Sequence, residues 1–105
     1  MPPAVRSLQP PAGNGDAEVV TPILEGRSFR AEHISSFGNS SAPDFWYDQD
    51  RPEWVALLQG TASIEFADGT VHLKAGDCLV IPAHVRHRVS ATSADATWFA
   101  LHFEP

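Results

Sequence analysis

Two histidines stand three residues apart in Gly-Asp-Cys-Leu-Val-Ile-Pro-Ala-His-Val-Arg-His-Arg, residues 76–88. Gly76-Asp77 reads as a turn feeding the short apolar run Cys78 to Ile81. Pro82 stops that run, because proline has no N–H to carry a ladder onward. His84 and His87 follow at once. Imidazoles titrate near neutral pH and are the commonest metal ligands, so a pair at the end of a strand can hold an ion or pass protons. An apolar strand closed by a proline turn beside two imidazoles is a common way to bring ligands to the mouth of a β-barrel. A second stretch with chemistry in it, residues 44–53, carries the carboxylates Asp44, Asp48, Asp50 and Glu53. It lacks the glycine and the spacing of a calcium loop.

These residues need a frame to hold them, and the chain reads as strand after strand. Ser28 to Phe37 alternates, with Phe29, Ala31, His33, Ser35 and Phe37 on one face and Arg30, Glu32, Ile34 and Ser36 on the other. Trp54 to Leu58 is an apolar run closed by Gln59-Gly60. Thr61 to Phe66 and Thr70 to Leu73 flank Ala67-Asp68-Gly69, a hairpin signal of the Asp-Gly kind. Cys78 to Ile81, Val89 to Thr92 and Thr97 to Phe103 complete the set. In the last strand Phe99, Leu101 and Phe103 look like the core face, which puts His102 on the other side. No segment keeps a 3.6-residue apolar period, so almost no helix is expected. Short strands at this spacing predict an all-β fold, an antiparallel sandwich or barrel.

Residues 1–27 read as an N-terminal arm, with Pro2, Pro3, Pro10 and Pro11 and the turn signal Asn14-Gly15-Asp16. Glu18 to Leu24 is β-prone but interrupted by Pro22, which suits an edge strand. Residues 28–105 form the barrel. At 105 residues there is room for one domain and a thin core, so a homodimer through edge strands and the arm is expected. The net charge of −6, with seven scattered Lys and Arg, argues against a nucleic-acid surface. No run approaches the roughly 20 apolar residues of a membrane span. The arm has no apolar signal-peptide region. Cys78 is the single cysteine, which fits a reducing cytoplasm, and its apolar neighbours mark it as an inert core thiol.

Taken together, these stretches resemble a cupin. That family's first motif is G-x5-H-x-H-x3,4-E-x6-G and its second is G-x5-P-x-G-x2-H-x3-N. Glu53 and Gly60 match the E-x6-G half; Gly76, Pro82 and His87 match the second motif; the Asp68-Gly69 hairpin lies between them. The resemblance spans roughly residues 29–103 and implies an antiparallel jelly-roll β-barrel. Three positions depart from it. The paired histidines of the first motif are replaced by Tyr47 and Gln49, or, counted one residue further back, by Trp46 and Asp48. The glycine of the second motif is His84, and its asparagine is Ala91.

The resemblance implies that Glu53 and His87 point inward and bind a divalent metal, with Gln49 completing the set. Zinc, iron, manganese and nickel all accept nitrogen and oxygen ligands of this kind. Tyr47 and His84 are the candidates for moving protons in a metal-dependent enzyme. The alternative is a barrel that binds a small molecule, such as a sugar or a phenolic, without metal or catalysis. His33 and His102 can face either cavity or solvent, and His72 is expected at the surface. Trp46, Trp54 and Trp98 read as core or subunit contact, and Arg86 and Arg88 as solvated strand charges.

Overall fold

The computed structural model describes residues 1–8 and 17–105, so the turn expected at Asn14-Gly15-Asp16 lies outside the described residues. Eight strands follow one another: β1 Val19–Glu25, β2 Phe29–Ser35, β3 Glu53–Gln59, β4 Thr61–Phe66, β5 Gly69–Lys74, β6 Cys78–Ile81, β7 His87–Thr92 and β8 Thr97–Phe103. No helix occurs among the described residues. The strands form a five-stranded sheet in the order β1-β2-β8-β3-β6 and a three-stranded sheet in the order β5-β4-β7. Every strand pairing is antiparallel. The expected all-β jelly-roll barrel is what the chain forms.

The two sheets bury their facing sides against each other. Val55 and Leu57 of β3, Ala62 and Ile64 of β4, Leu73, Ile81, and Ala96, Trp98 and Ala100 at β8 make one contiguous core. Trp98 donates its indole N–H to Ser36 Oγ at 2.9 Å, which satisfies a polar atom inside that core. Pro22 sits in β1 at the sheet edge, where the register with β2 slips between Pro22 and Leu24. Ala67 and Asp68 turn β4 into β5, with Phe66 opposite Gly69.

Three expectations are corrected. In β8 it is Trp98, Ala100 and His102 that are buried, while Phe99, Leu101 and Phe103 lie on the outer side. Both faces of this strand are apolar, so hydrophobicity alone does not choose between them. The register does: Leu57 opposes Trp98, Val55 opposes Ala100 and Glu53 opposes His102. Cys78 is exposed rather than core, because it opens β6 opposite Ala56 on the outer face. The strand expected from Val89 begins two residues earlier, at His87. Ahead of β3, Tyr47 makes an isolated antiparallel bridge to His87.

Candidate functional site

A cavity of about 250 Å³ opens between the sheets. Its inner wall is apolar, with Val20, Ile34, Val55, Ile64, Ile81, Val89 and Trp98. Its other wall is polar, with Glu18, Arg30, Glu32, Tyr47, Gln49, Glu53, His87 and His102. The polar wall follows from strand ends. Glu53 and His87 are the first residues of β3 and β7, and His102 stands opposite Glu53. Arg30 and Glu32 reach it from the inward side of β2, paired with His102 and Ala100.

His87 is 4 % exposed, and Glu53 is 8 % exposed. His87 Nδ1 lies 2.9 Å from the carbonyl oxygen of Val85. A carbonyl only accepts, so in the neutral ring the proton sits on Nδ1 and Nε2 is a bare lone pair. That nitrogen faces Glu53 Oε1 at 3.8 Å. The other carboxylate oxygen, Oε2, faces His102 Nε2 at 3.6 Å. His102 Nε2 also lies 3.2 Å from Glu32 Oε1, close enough to donate a hydrogen bond. Tyr47 stacks on the His87 ring, with centroids 5.3 Å apart, and the two backbones exchange hydrogen bonds of 2.7 and 3.1 Å.

The charge balance of this wall is unusual. Burial, reinforced by Glu32 and Glu18, pushes Glu53 up to about 7, while Arg30 opposes the rise. Burial, then Glu32, raises Glu18 as well. Burial, then Arg30, lowers His102, so that ring favours its neutral form. Burial, followed by the charges of Glu18 and Glu53, raises Tyr47, which therefore stays a protonated donor at neutral pH. Three carboxylates share the cavity with one guanidinium, Arg30, whose Nε pairs with Glu32 Oε2 at 3.2 Å, so the net negative charge that remains calls for a proton or a cation.

The structure thus brings Tyr47, Gln49, Glu53 and His87 into one cavity. His84 lies outside it, on the rim. Its ring is largely exposed, and its Nδ1 pairs with Asp48 Oδ1 at 2.8 Å. A polar vestibule there is lined by Glu25, Asp48, Asp50, Arg51 and His84, together with Arg30, Gln49 and His102, which also border the inner cavity. The backbone of His84 is left-handed, with φ of 63°, which explains why glycine suits this position. His33 is buried on the outer side of β2, away from the cavity. His72 is exposed, as expected, against Ser63 Oγ at 2.7 Å. Arg86 lies over the Trp46 ring, and Arg88 pairs with Glu65 at 2.6 Å.

Sequence reasoning missed Glu18, Arg30 and Glu32 and set His102 on the wrong side. Arg30 and Glu32 do share one face of β2 with Ile34, but that face is the more polar of the two, so alternation alone turns it outward and only the pairing with β8 turns it in.

The donor chemistry suits a divalent first-row ion: an imidazole with a free lone pair, a carboxylate and an amide oxygen, with the His102 ring beside them. Among the described residues, however, no three His, Cys, Asp or Glu side chains are already drawn together as a metal centre.

Residues 38–102 match the Cupin domain family. The chain is a cupin. A 3-hydroxyanthranilate 3,4-dioxygenase of Brucella anthropi is 30% identical over 84 residues. Those residues are 76% of this chain and 42% of that enzyme, so the cupin spans less than half of its relative's length. A crystal structure from Ralstonia eutropha JMP134, of a protein provisionally named a mannose-6-phosphate isomerase, is similar with a TM-score of 0.80. It is 36% identical, over 91% of this chain and 100% of that one. A cupin superfamily protein from Desulfitobacterium hafniense DCB-2 has a TM-score of 0.78 at 18% identity, covering 96% and 95% of the two chains, and shares the fold.

Proposed function

We propose that this cupin binds a small molecule in the inner cavity beside a divalent ion (zinc, iron, manganese or nickel) held by His87 and Glu53, with Gln49 and His102 within the same wall. The observation that carries the reading is the hydrogen bond from His87 Nδ1 to Val85, which leaves Nε2 bare and turned to a buried carboxylate. An outer partner that fixes ring and tautomer is how metal-ligating histidines are prepared. When bound, such an ion supplies Lewis acidity at an oxygen of the substrate.

The chain's own groups then have separate duties. Tyr47 donates a hydrogen bond from its phenol. Glu53, which burial raises to about 7 in the metal-free cavity, gives up its proton when it takes up the ion. His84 exchanges protons with solvent at the rim. The apolar wall from Val55 to Trp98 takes the hydrocarbon part of the ligand. The named relatives include a dioxygenase and a provisional isomerase. Proton transfer of the isomerase kind suits this cavity better than dioxygen chemistry, because Tyr47 and Gln49 stand where imidazoles would support iron. The single cysteine and the thin core extend the reading to a cytoplasmic homodimer.

A metal-free binding barrel is the second reading, favoured by one observation. A proton on Glu53 meets the same electrostatic demand as a cation. Metal analysis separates the two. Protein purified without chelator is expected to carry stoichiometric metal, and Zn²⁺ or Mn²⁺ added after chelation is expected to raise Tm. Neither effect should survive in Glu53→Gln or His87→Ala. Absence of both effects in the wild type leaves the binding barrel.

A further inference from the structure

We propose that the ligand of this cavity is a small carboxylic acid, bound as its anion by Arg30, with Arg51 beside it, where the vestibule meets the inner cavity. The inference rests on the small-molecule reading above and names the chemical class of the ligand.

The register of β2 places Arg30 for this role. It stands opposite His102 on β8 and opposite Glu25 on β1. It borders both the inner cavity and the vestibule. Its Nε lies 3.2 Å from Glu32 Oε2, yet that nitrogen is buried and no hydrogen bond reaches it. Among the described residues nothing accepts from its two Nη groups either. Other guanidiniums of the chain are used differently. Arg88 donates through Nη1 to Glu65 and through Nη2 to the Ser41 carbonyl. Arg6 directs both Nη groups at the carbonyls of Ile23 and Pro22. Arg30 thus has its charge balanced by Glu32 while its planar fork of donors stays open. Two parallel N–H groups of such a fork match the two oxygens of a carboxylate.

Arg51 adds a second guanidinium. It precedes β3, lines the vestibule and pairs with Glu104 at 3.4 Å. The neutral bias of His102 shows that the two arginines converge. Burial lowers that ring first and Arg30 next, Glu32 opposes them, and Arg51 adds to the lowering. Both positive charges therefore act on one imidazole between the two spaces.

The surroundings limit what the anion can be. Glu25, Asp48 and Asp50 also line the vestibule. They repel a second negative charge, so a carboxylate fits better than a phosphate ester, which carries roughly −1.5 to −2 at pH 7. Beyond Arg30 the wall turns apolar, with Val55, Ile64 and Trp98. The inner cavity, about 250 Å³, falls below the roughly 300–1,000 Å³ usual for ligand pockets. The acid is therefore small, with a single ring or a short branched chain as its body.

The test uses the full chain, purified without chelator, at neutral pH and low salt. The probes are benzoate, its neutral counterpart benzamide, and phenyl phosphate. The nuclear magnetic resonance shift of the Trp98 indole N–H reports cavity binding. Benzoate is expected to bind at least about tenfold tighter than either other probe, as charge-assisted hydrogen bonds require. Arg30→Gln should abolish the preference over benzamide, and Arg51→Gln should reduce it. The Arg30 side chain is 43% exposed, so Arg30→Gln should keep the wild-type circular dichroism. Lys74→Gln removes the same charge at the turn before β6 and should leave the preference intact. Equal binding of benzoate and benzamide would keep the small-molecule reading and overturn the carboxylate. Tighter phenyl phosphate would overturn it in favour of a phosphate ester. A preference that survives Arg30→Gln would put the carboxylate on another group, a bound ion included, and overturn the role of Arg30. No shift with any probe would overturn the small-molecule reading and this inference together.

Discussion

Glu53 Oε1 and His87 Nε2 lie 3.8 Å apart, too far for a hydrogen bond, at the first positions of two strands from different sheets. Neither partner is relieved by the other when both lack a proton. Glu53 is therefore one of the groups through which the cavity feels pH, beside Glu18 and His102. Its folded pKa of about 7 stands above the unfolded value near 4.5. A carboxylate raised in this way binds more protons when folded, so stability falls as pH rises between those two values.

The first prediction follows from that sign. In metal-free protein, the unfolding free energy should drop between about pH 5 and pH 7 by up to about 3 kcal/mol from this group, and then level off. Glu53→Gln keeps the shape and removes the titration. It should be more stable than the wild type at pH 8 and nearly equal to it at pH 5. Urea unfolding at the two pH values checks this, and equal slopes with pH for both proteins would count against it.

Metal should reverse that penalty. An ion present at 100 times its Kd stabilises the folded protein by about 2.7 kcal/mol. Protons compete for the same donors, so the gain in Tm should shrink from pH 8 to pH 5.5. Calorimetric scans with and without Mn²⁺ at both pH values measure it. A gain that is independent of pH would place the ion away from Glu53.

How much of this was legible beforehand depended on pattern strength. The hairpin at Asp68-Gly69, the Glu53–Gly60 spacing and the Gly76–Pro82–His87 spacing are local signals, and they were enough for the barrel and for two cavity residues. The inward set of β8 was not legible, because Trp98 and Ala100 on one face and Phe99 and Leu101 on the other are equally apolar. Only pairing with Val55 and Leu57 decides it. The same ambiguity hid His102. It also disguised Cys78, whose apolar neighbours serve an outer face as well as a core.

His84 gives the third prediction. Its φ of 63° costs a residue with a side chain about 1–2 kcal/mol, and glycine removes that cost. Glycine also loosens the unfolded chain and loses the exposed contact with Asp48, each worth about 1 kcal/mol or less. His84→Gly should therefore stay within about 1 kcal/mol of the wild type, whereas His84→Ala keeps the strain and should be the less stable of the two. Guanidinium unfolding ranks them. Because His84→Gly stays folded, any loss of ligand turnover in it belongs to the imidazole. An alanine variant as stable as the glycine one would show that no strain resides there.

Gly60 and Gly76, the glycines of the two cupin half-motifs, allow backbone strain to be separated from crowding. Both have left-handed φ, at 82° and 95°. A Cβ at Gly76 would meet nothing within 4 Å. A Cβ at Gly60 would collide with Ser93 Oγ and lie 2.8 Å from Asp95 Oδ1 and 2.9 Å from Ala96 Cα. Ser93 cannot simply swing aside, since its hydroxyl accepts the Thr61 N–H at 2.9 Å and contacts Asp95 Oδ1 at 2.8 Å. Ala96 is backbone at the edge of the core, with 1% exposure. Gly76→Ala should then cost only the strain of its φ, about 1–2 kcal/mol. Gly60→Ala should cost that and the displacement of the 93–96 turn, a total on the order of 3–4 kcal/mol. Paired denaturation curves give the difference. Equal losses at the two sites would mean that the turn yields freely, and that Gly60 is needed for its φ alone.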